Sequence, residues 1–232
     1  MKRIAVIGAG GYVGSALFEK LQKDKKNNVT GVTRSNYSYW QKRKFDIVIN
    51  AAMSSARLWA EEHPDRDFIE SVKKTADIIY NWKYKKMVQI STISARSELD
   101  RVYGRHKAAA ENLCSFGDNL IIRLTATYGD TLQKGAVVDI LNGKKVWVDA
   151  KSRYSFASLD FVSGWVAMHL ELKGTIEVGA RNSLSLARIA RHLGLMVPFQ
   201  GKLDHQEVQN PLPEFPEAKE ILKYLKKRIN NI

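Results

Sequence analysis

The stretch Ile4-Ala5-Val6-Ile7-Gly8-Ala9-Gly10-Gly11-Tyr12-Val13-Gly14 decides the fold. A short apolar run meets a cluster of glycines, and the chain beyond it, to about residue 23, has the polarity pattern of a helix. Strand, tight turn and helix in that order open a βαβ unit. In the common G-x-G-x-x-G spacing the third glycine would fall on Val13, so the spacing that fits is Gly8-x-x-Gly11-x-x-Gly14. A glycine turn placed there lets a pyrophosphate approach the backbone and rest on the free N–H groups of the helix N-terminus. Gly8, Gly10, Gly11, Tyr12, Val13 and Gly14 are therefore candidate dinucleotide-binding positions. The alternative is a turn that uses glycine for purely steric reasons.

Outward from this unit, β-branched runs alternate with helix-length amphipathic stretches. Strands are expected at Ile4–Ile7, Val29–Thr33, Ile47–Ile49, Met87–Ile90, Leu120–Leu124 and Thr175–Val178. Helices are expected near 12–23, 65–82, 101–116, 131–142 and 159–172. This alternation predicts an α/β fold, a doubly wound parallel sheet covered on both faces. After residue 180 the pattern changes to an amphipathic helix through Leu193, a proline-bearing loop, and a basic helix from about 217 to 229. The 232 residues read as one domain, with residues from about 181 to 232 forming a small C-terminal lobe.

Bulk properties narrow the class. With 44% hydrophobic and 26% charged residues the chain reads as an ordinary soluble globular protein. A single cysteine, Cys114, excludes an internal disulfide and multi-cysteine metal sites, and suits a reducing, cytoplasmic setting. Lys2 and Arg3 before an apolar stretch imitate a signal peptide, but the glycines favour a strand and a turn there. No stretch reaches the roughly 18 unbroken apolar residues of a membrane span. The five histidines lack metal-ligand spacing. The net charge of +13 is spread over several helix-like segments without a recognition motif. It reads as solvated helix faces rather than a nucleic-acid surface.

Two further groups carry chemistry. The second strand ends in Thr33-Arg34-Ser35, with no carboxylate to hold ribose hydroxyls and repel a 2′-phosphate. Arg34 can pair with such a phosphate, so NADP is expected as cofactor, with NAD the alternative. Tyr103 and Lys107 lie four residues apart on one helical face. A cation beside the phenol favours the phenolate and makes Tyr103 an acid/base candidate. The pair follows Ser91 and Thr92, which close the fourth strand at the end where parallel sheets bind ligands. A Thr92 hydroxyl there can hold a substrate carbonyl while Tyr103 protonates it. Arg57 and Trp59, after the third strand, are candidates for pocket lining; Trp147 and Tyr154 stay ambiguous. His106 reads as a polar helix residue and Cys114 as a core thiol.

Together these residues resemble the extended short-chain dehydrogenase/reductase family, which includes nucleotide-sugar epimerases, dehydratases and dTDP-4-dehydrorhamnose reductase. The resemblance covers roughly residues 2–193. Gly8, Gly11 and Gly14 match its cofactor turn. Phe45-Asp46-Ile47-Val48-Ile49-Asn50-Ala51-Ala52 is similar to its third strand, with Ala51 and Ala52 beside the cofactor. Ser91-Thr92 matches the pair ending strand four, and Val102-Tyr103-Gly104-Arg105-His106-Lys107 with Ala110-Glu111 the catalytic helix. Ile122-Arg123-Leu124 leading to Tyr128-Gly129 matches the fifth strand and its exit. Asp160, Gly174 to Gly179 and Ser185-Leu186 fit later segments.

The resemblance implies a Rossmann-type fold with a small C-terminal substrate lobe, and NAD(P)-dependent reduction or oxidation of a carbonyl or alcohol, in a nucleotide sugar or other small molecule. It also implies Tyr103, Lys107 and Thr92 as catalytic residues, cofactor contacts at Ser91, Tyr103 and Lys107, and a homodimer. Epimerase or dehydratase chemistry, and a non-catalytic NADP-binding sensor or assembly module, are the alternatives. Three departures stand out. Ser71 occupies the position where the family usually carries an asparagine of a water-mediated proton relay. Only ten residues separate Thr92 from Tyr103, and the C-terminal lobe is short.

Overall fold

The computed structural model describes residues 1–230. Its strands are β1 (Lys2–Ile7), β2 (Asn27–Val32), β3 (Ile47–Asn50), β4 (Lys86–Thr92), β5 (Leu120–Leu124), β6 (Thr127–Tyr128), β7 (Arg153–Tyr154), β8 (Ala157–Ser158), β9 (Gly174–Val178) and β10 (Leu184–Ser185). Its α-helices are α1 (Tyr12–Lys23), α2 (Tyr37–Gln41), α3 (Arg57–Glu62), α4 (Pro64–Phe68), α5 (Lys74–Asn81), α6 (Ser94–Ser97), α7 (Val102–Cys114), α8 (Ala136–Leu141), α9 (Leu159–Met168), α10 (Leu186–His192) and α11 (Glu220–Asn230).

Six strands form one parallel sheet in the order β2-β1-β3-β4-β5-β9, each in the place the apolar runs predict. Ile4, Ala5 and Val6 of β1, and Val48 and Ile49 of β3, are wholly buried, which is why these strands read as unbroken apolar runs. The order reverses between β1 and β3, whose register sets Ile7 opposite Asn50. Ligands of such sheets bind outside the strand carboxyl ends at this switch point.

The chain divides into two compact units, Met1–Leu124 with Ser163–Ile176, and Thr125–Val162 with the residues from Glu177 onward. In the first, Ala5, Ile7, Val32, Val48, Ile78, Met87, Cys114 and Ile121 pack with Phe45 and Trp82, whose ring centroids are 5.8 Å apart. Burial foremost, then the Glu111 charge, pushes the Cys114 thiol up to about 12, so it is an inert core group.

The second unit takes in the expected C-terminal lobe and also residues 125–162. Its core gathers Tyr128, Ile140, Phe156, Leu184, Leu186 and Ile189 with Ile221 and Leu225 of α11. Lys223, Lys226 and Lys227 of that helix face solvent, the amphipathic pattern its sequence shows. Tyr154 is a core residue donating to Asp204 (2.6 Å), whereas Trp147 is exposed beneath the Lys145 ammonium.

Three expected helices differ in extent, the 159–172 segment ending at Met168. The 131–142 segment is helical only over Ala136–Leu141. The 65–82 segment starts with Pro64 in its first turn, a favoured place for proline, and contains a π-helical turn at Ile69–Lys73 before α5. Such turns are frequent at functional sites. Here Asp67, Ser71 and Thr75, spaced by four, are all fully buried.

Candidate active site

The glycine turn is shaped by two close approaches. Gly8 has φ +88°, and a Cβ there would lie 2.7 Å from the Ala51 carbonyl oxygen and 2.8 Å from the Ala52 Cα. A Cβ on Gly14 would lie 2.0 Å from the Gly8 carbonyl oxygen, so only glycine lets α1 pack this tightly on the turn. Gly10 differs: a Cβ there would meet nothing within 4 Å, and the residue is exposed. Its lack of a side chain leaves open space over the backbone rather than room for the protein itself. Val13 and Tyr12 are partly buried in the first turn of α1.

That helix start suits an anion. Gly11 caps α1 without a side-chain hydrogen bond, and the first turn holds no acidic residue. The free N–H groups and the dipole therefore face no competing carboxylate of their own helix. After β2, the Arg34 side chain is 93% exposed; its guanidinium lies 4.0 Å from Glu70, itself engaged by Lys74. Thr33 and Ser35 hydroxyls share a 2.9 Å hydrogen bond beside it, and the Asn36 side chain folds the loop by accepting from the Thr33 N–H (2.8 Å). A cationic, hydroxyl-rich loop without its own carboxylate fits a 2′-phosphate. The turn, the helix start and this loop thus fit a dinucleotide, with Gly8, Gly10, Gly11, Tyr12, Val13, Gly14 and Arg34 the residues to hold it.

Contacts then run along the sheet's carboxyl edge. Ala51 donates to the Ile7 carbonyl (2.9 Å), tying the end of β3 to β1. Asn50, wholly buried, donates to Gln89 (3.0 Å) and accepts from the Ala52 N–H (3.2 Å), which fixes the exit from β3. Three residues beyond Ala51, the Ser54 carbonyl accepts from the Lys107 ammonium at 2.5 Å. Lys107 also reaches the Ser71 hydroxyl at 3.5 Å and lies 5.0 Å from the centroid of the Tyr103 ring. The Thr92 side chain, in turn, lies close enough to the Tyr103 hydroxyl to favour its phenolate. The structure brings Thr92, Tyr103 and Lys107 together, and joins them through the β3 exit to the glycine turn.

Ser91 is placed differently. Its hydroxyl donates to Glu111 at 2.5 Å, and that buried carboxylate also pairs with the part-buried Arg123. Its hydroxyl proton is thereby committed to Glu111.

The electrostatics refine the expected pairing. Burial pushes the Tyr103 phenol up to about 12, opposed by the Arg57 charge and reinforced by Asp67 and Glu98; the Thr92 side chain also lowers it. The strongest Coulombic pull towards the phenolate thus comes from Arg57, a residue the sequence marks only as a pocket candidate. Arg57 is held by Glu98 at 3.3 Å. Burial lowers the Lys107 ammonium to about 7; Asp67 and Glu111 oppose the fall, and Lys74 adds to it. A lysine near neutrality can both give and take a proton at physiological pH.

Asp67 is what sequence reading misses. It is fully buried, its Oδ2 is 2.8 Å from His106 Nδ1, and its charge bears on both Tyr103 and Lys107. The signal was present as small polar residues at 67, 71 and 75, one face of a helix that should have been apolar.

The chain's likeness to known proteins agrees with this geometry. The sequence model of a family described as the NAD dependent epimerase/dehydratase family matches residues 4–136. No curated protein sequence matches. Among solved structures, dTDP-4-dehydrorhamnose reductase from Bacillus anthracis in complex with NADP superposes with a TM-score of 0.74 at 17% identity, covering 98% of this chain and 99% of that one. RMD from Pseudomonas aeruginosa complexed with NADPH gives 0.76 at 13% identity, covering 100% and 99%. UDP-glucose 4-epimerase from Thermotoga maritima with UDP-glucose gives 0.69 at 17% identity, covering 98% and 99%. At these identities the likeness establishes the fold.

Proposed function

Because the chain belongs to the NAD dependent epimerase/dehydratase family, we propose that it is an NADP-dependent oxidoreductase that reduces or oxidises a carbonyl/alcohol pair of a nucleotide sugar. The observation that carries this reading is the Thr92–Tyr103–Lys107 group, joined to the glycine turn through Ala51 and Ser54. Bound NADP(H) supplies or accepts the hydride. The protein's own part is to position the substrate and to move one proton. Thr92 holds the carbonyl oxygen, and Tyr103 gives it a proton as negative charge develops there. Arg57 and the Thr92 side chain limit the cost of the phenolate that remains. Lys107 returns the proton and donates to ribose hydroxyls. Arg34 would take the 2′-phosphate.

Soluble, cytoplasmic enzyme chemistry and a homodimer complete the proposal. The homodimer rests on the family resemblance alone; Cys114 is free and buried, and among the described residues no helix is long and apolar enough to cross a membrane.

The test is a thermal-shift screen with NADPH, NADH and nucleotide sugars, followed by NADPH oxidation with 4-keto nucleotide sugars. Wild-type protein should be stabilised most by NADPH, and Tyr103→Phe should keep that stabilisation while losing turnover. Undiminished turnover in Tyr103→Phe removes Tyr103 from the mechanism. The family also contains epimerases; cofactor retained through purification, with sugar converted but no net NADPH consumed, favours that reading.

A further inference from the structure

Basic residues that read from the sequence as solvated faces are, in the second unit, gathered around exposed apolar side chains. Two segments of that unit run side by side. The Val146 N–H donates to the Pro198 carbonyl (2.9 Å), the Gln200 N–H to the Val146 carbonyl (2.9 Å), and the Asp149 N–H to the Lys202 carbonyl (3.0 Å). Successive residues of extended chains point to opposite faces. Val146, Val148, Val197 and Phe199 turn onto the unit's core. Trp147, Met196 and Pro198 alternate with them and are exposed, Trp147 at 66% and Met196 at 98%. Leu203, just beyond the pairing, is exposed as well. Beside Met196 runs a shallow groove lined by Ala187, Ala190, Arg191, Leu195 and Phe199. Apolar side chains clustered in water mark a surface that something covers.

The rim of this cluster is cationic. Lys144, Lys145 and Lys151 flank Trp147 along the chain, Arg188 and Arg191 stand on α10, and Lys202 follows the second segment; all are exposed. The Lys145 ammonium lies 4.2 Å from the centroid of the Trp147 ring. Residues 186–203 hold no carboxylate at all. Those bordering the two segments are engaged: Asp149 accepts from the Lys151 N–H (2.7 Å), and Asp204 is buried and accepts from Tyr154 and Gln206. Asp139 of α8 acts on Lys144. Beyond Arg188 and His192 the surface meets Leu222 of α11, whose Lys223 and Lys226 face solvent and extend the basic rim.

We propose that this face of the second unit docks on the surface of an anionic phospholipid bilayer. Trp147, Met196 and Leu203 enter the boundary between headgroups and acyl chains, and the lysines and arginines around them pair with the lipid headgroups. Tryptophan is favoured at that boundary, where its ring is buried and its N–H stays wet. Lysine and arginine can bury their stems there and keep their charges among the headgroups. Charge complementarity names an anionic surface, and the exposed apolar centre selects a bilayer. A nucleic acid would use the cations but leave Met196 and Leu203 in water. A second copy related by a two-fold axis would press the same cations together. Surface docking needs no spanning helix, and the described residues include none long and apolar enough. The proposal does not depend on the reaction assigned to Tyr103.

The test floats the full chain with phosphatidylcholine vesicles, with and without phosphatidylserine, at low and at high salt. Partitioning should need phosphatidylserine and fall as salt rises. Arg191→Gln with Lys202→Gln should weaken it about 25-fold, since each cation beside an anionic leaflet contributes about fivefold. Met196→Ser should weaken it roughly tenfold through lost apolar burial. These side chains are exposed, so circular dichroism should show an unchanged fold. Trp147 is the one exposed tryptophan among the described residues. Brominated lipid should therefore quench part of the fluorescence, a part missing in Trp147→Phe. Absence of partitioning at low salt overturns the proposal. Partitioning untouched by the substitutions places the contact elsewhere and overturns it too. Partitioning that the glutamine pair weakens, but Met196→Ser and brominated lipid leave alone, assigns the attraction to charge without insertion and also overturns it. RNA retained at low salt without vesicle binding gives the face to nucleic acid instead. A dimer that Met196→Ser dissociates, again without vesicle binding, gives it to a second copy; either result overturns the proposal.

Discussion

Replacing Lys107 by methionine should stabilise the protein at neutral pH while disabling its site. Lys107 is 2% exposed, and burial is the chief reason its ammonium falls from an ordinary 10.5 to about 7. At about 1.36 kcal/mol per pH unit, that fall is worth on the order of 5 kcal/mol. Methionine has a similar length and no charge to desolvate. It does forfeit the hydrogen bond to the part-buried Ser54 carbonyl, which costs up to about 1–3 kcal/mol where water does not replace the donor. The balance favours the variant by roughly 2–4 kcal/mol where Lys107 is charged.

The sign follows from proton linkage. A lysine whose folded pKa lies below its unfolded value destabilises the fold fully at pH below the folded value. The penalty fades as pH rises from about 7 towards 10.5, because the unfolded chain then binds the extra proton and loses it. The variant's advantage should therefore be greatest near about pH 6 and shrink steadily towards about pH 10, where only the lost hydrogen bond remains. Urea denaturation across that range, read by tryptophan fluorescence with the slope held common, measures it. A variant less stable than wild type at the acid end, or an advantage that does not change with pH, would refute the reasoning.

Other substitutions separate packing from binding. Gly14→Ala drives a methyl into the Gly8 carbonyl at 2.0 Å and should cost about 3 kcal/mol or more of stability by chemical denaturation. Gly10→Ala meets open space, so stability should stay within about 0.5 kcal/mol, while calorimetry should show weakened NADPH binding. Arg34→Glu should weaken NADPH binding roughly tenfold to hundredfold and leave NADH binding nearly unchanged, since a charged hydrogen bond is worth about 1.5–3 kcal/mol. Arg57→Met removes the strongest charge favouring the Tyr103 phenolate; the alkaline limb of the reductive kcat profile should move up by about 0.5–1 pH unit.

What was legible in the sequence followed from strong, local physics. Strands buried on both faces must be continuous apolar runs, so all six strands of the sheet could be placed, and their alternation with helices predicted a doubly wound parallel sheet, whose strand order the structure supplies. Short helices escaped: Tyr37–Gln41, Arg57–Glu62 and Ser94–Ser97 hold one turn or little more, and tertiary contacts hold them rather than any periodicity. The π-turn at Ile69–Lys73 was invisible for a related reason. An inserted residue shifts helical phase without leaving a compositional mark. His106 read as a polar helix residue because its partner lies 39 positions away, on another helix.

The landmarks that suggested the family are less independent than their order implies. Ala110-Glu111 and Ile122-Arg123-Leu124 look like two signatures, yet they are two ends of one contact. Arg123 of β5 grips Glu111 of α7 through three hydrogen bonds of 2.6 to 3.1 Å, and Ser91 of β4 donates to the same carboxylate. A buried ion pair that is fully hydrogen-bonded specifies one geometry, and breaking it by removing one partner leaves an uncompensated charge. Glu111 stands one helical turn beyond Lys107 and two beyond Tyr103. Clamping it to β4 and β5 therefore fixes the rotation and height of α7, and with them the distance from the Tyr103 phenol to Thr92. Glu111→Gln should accordingly damage turnover more than its place outside the site suggests. It leaves the chemistry-bearing side chains in place but loosens the helix that aims them.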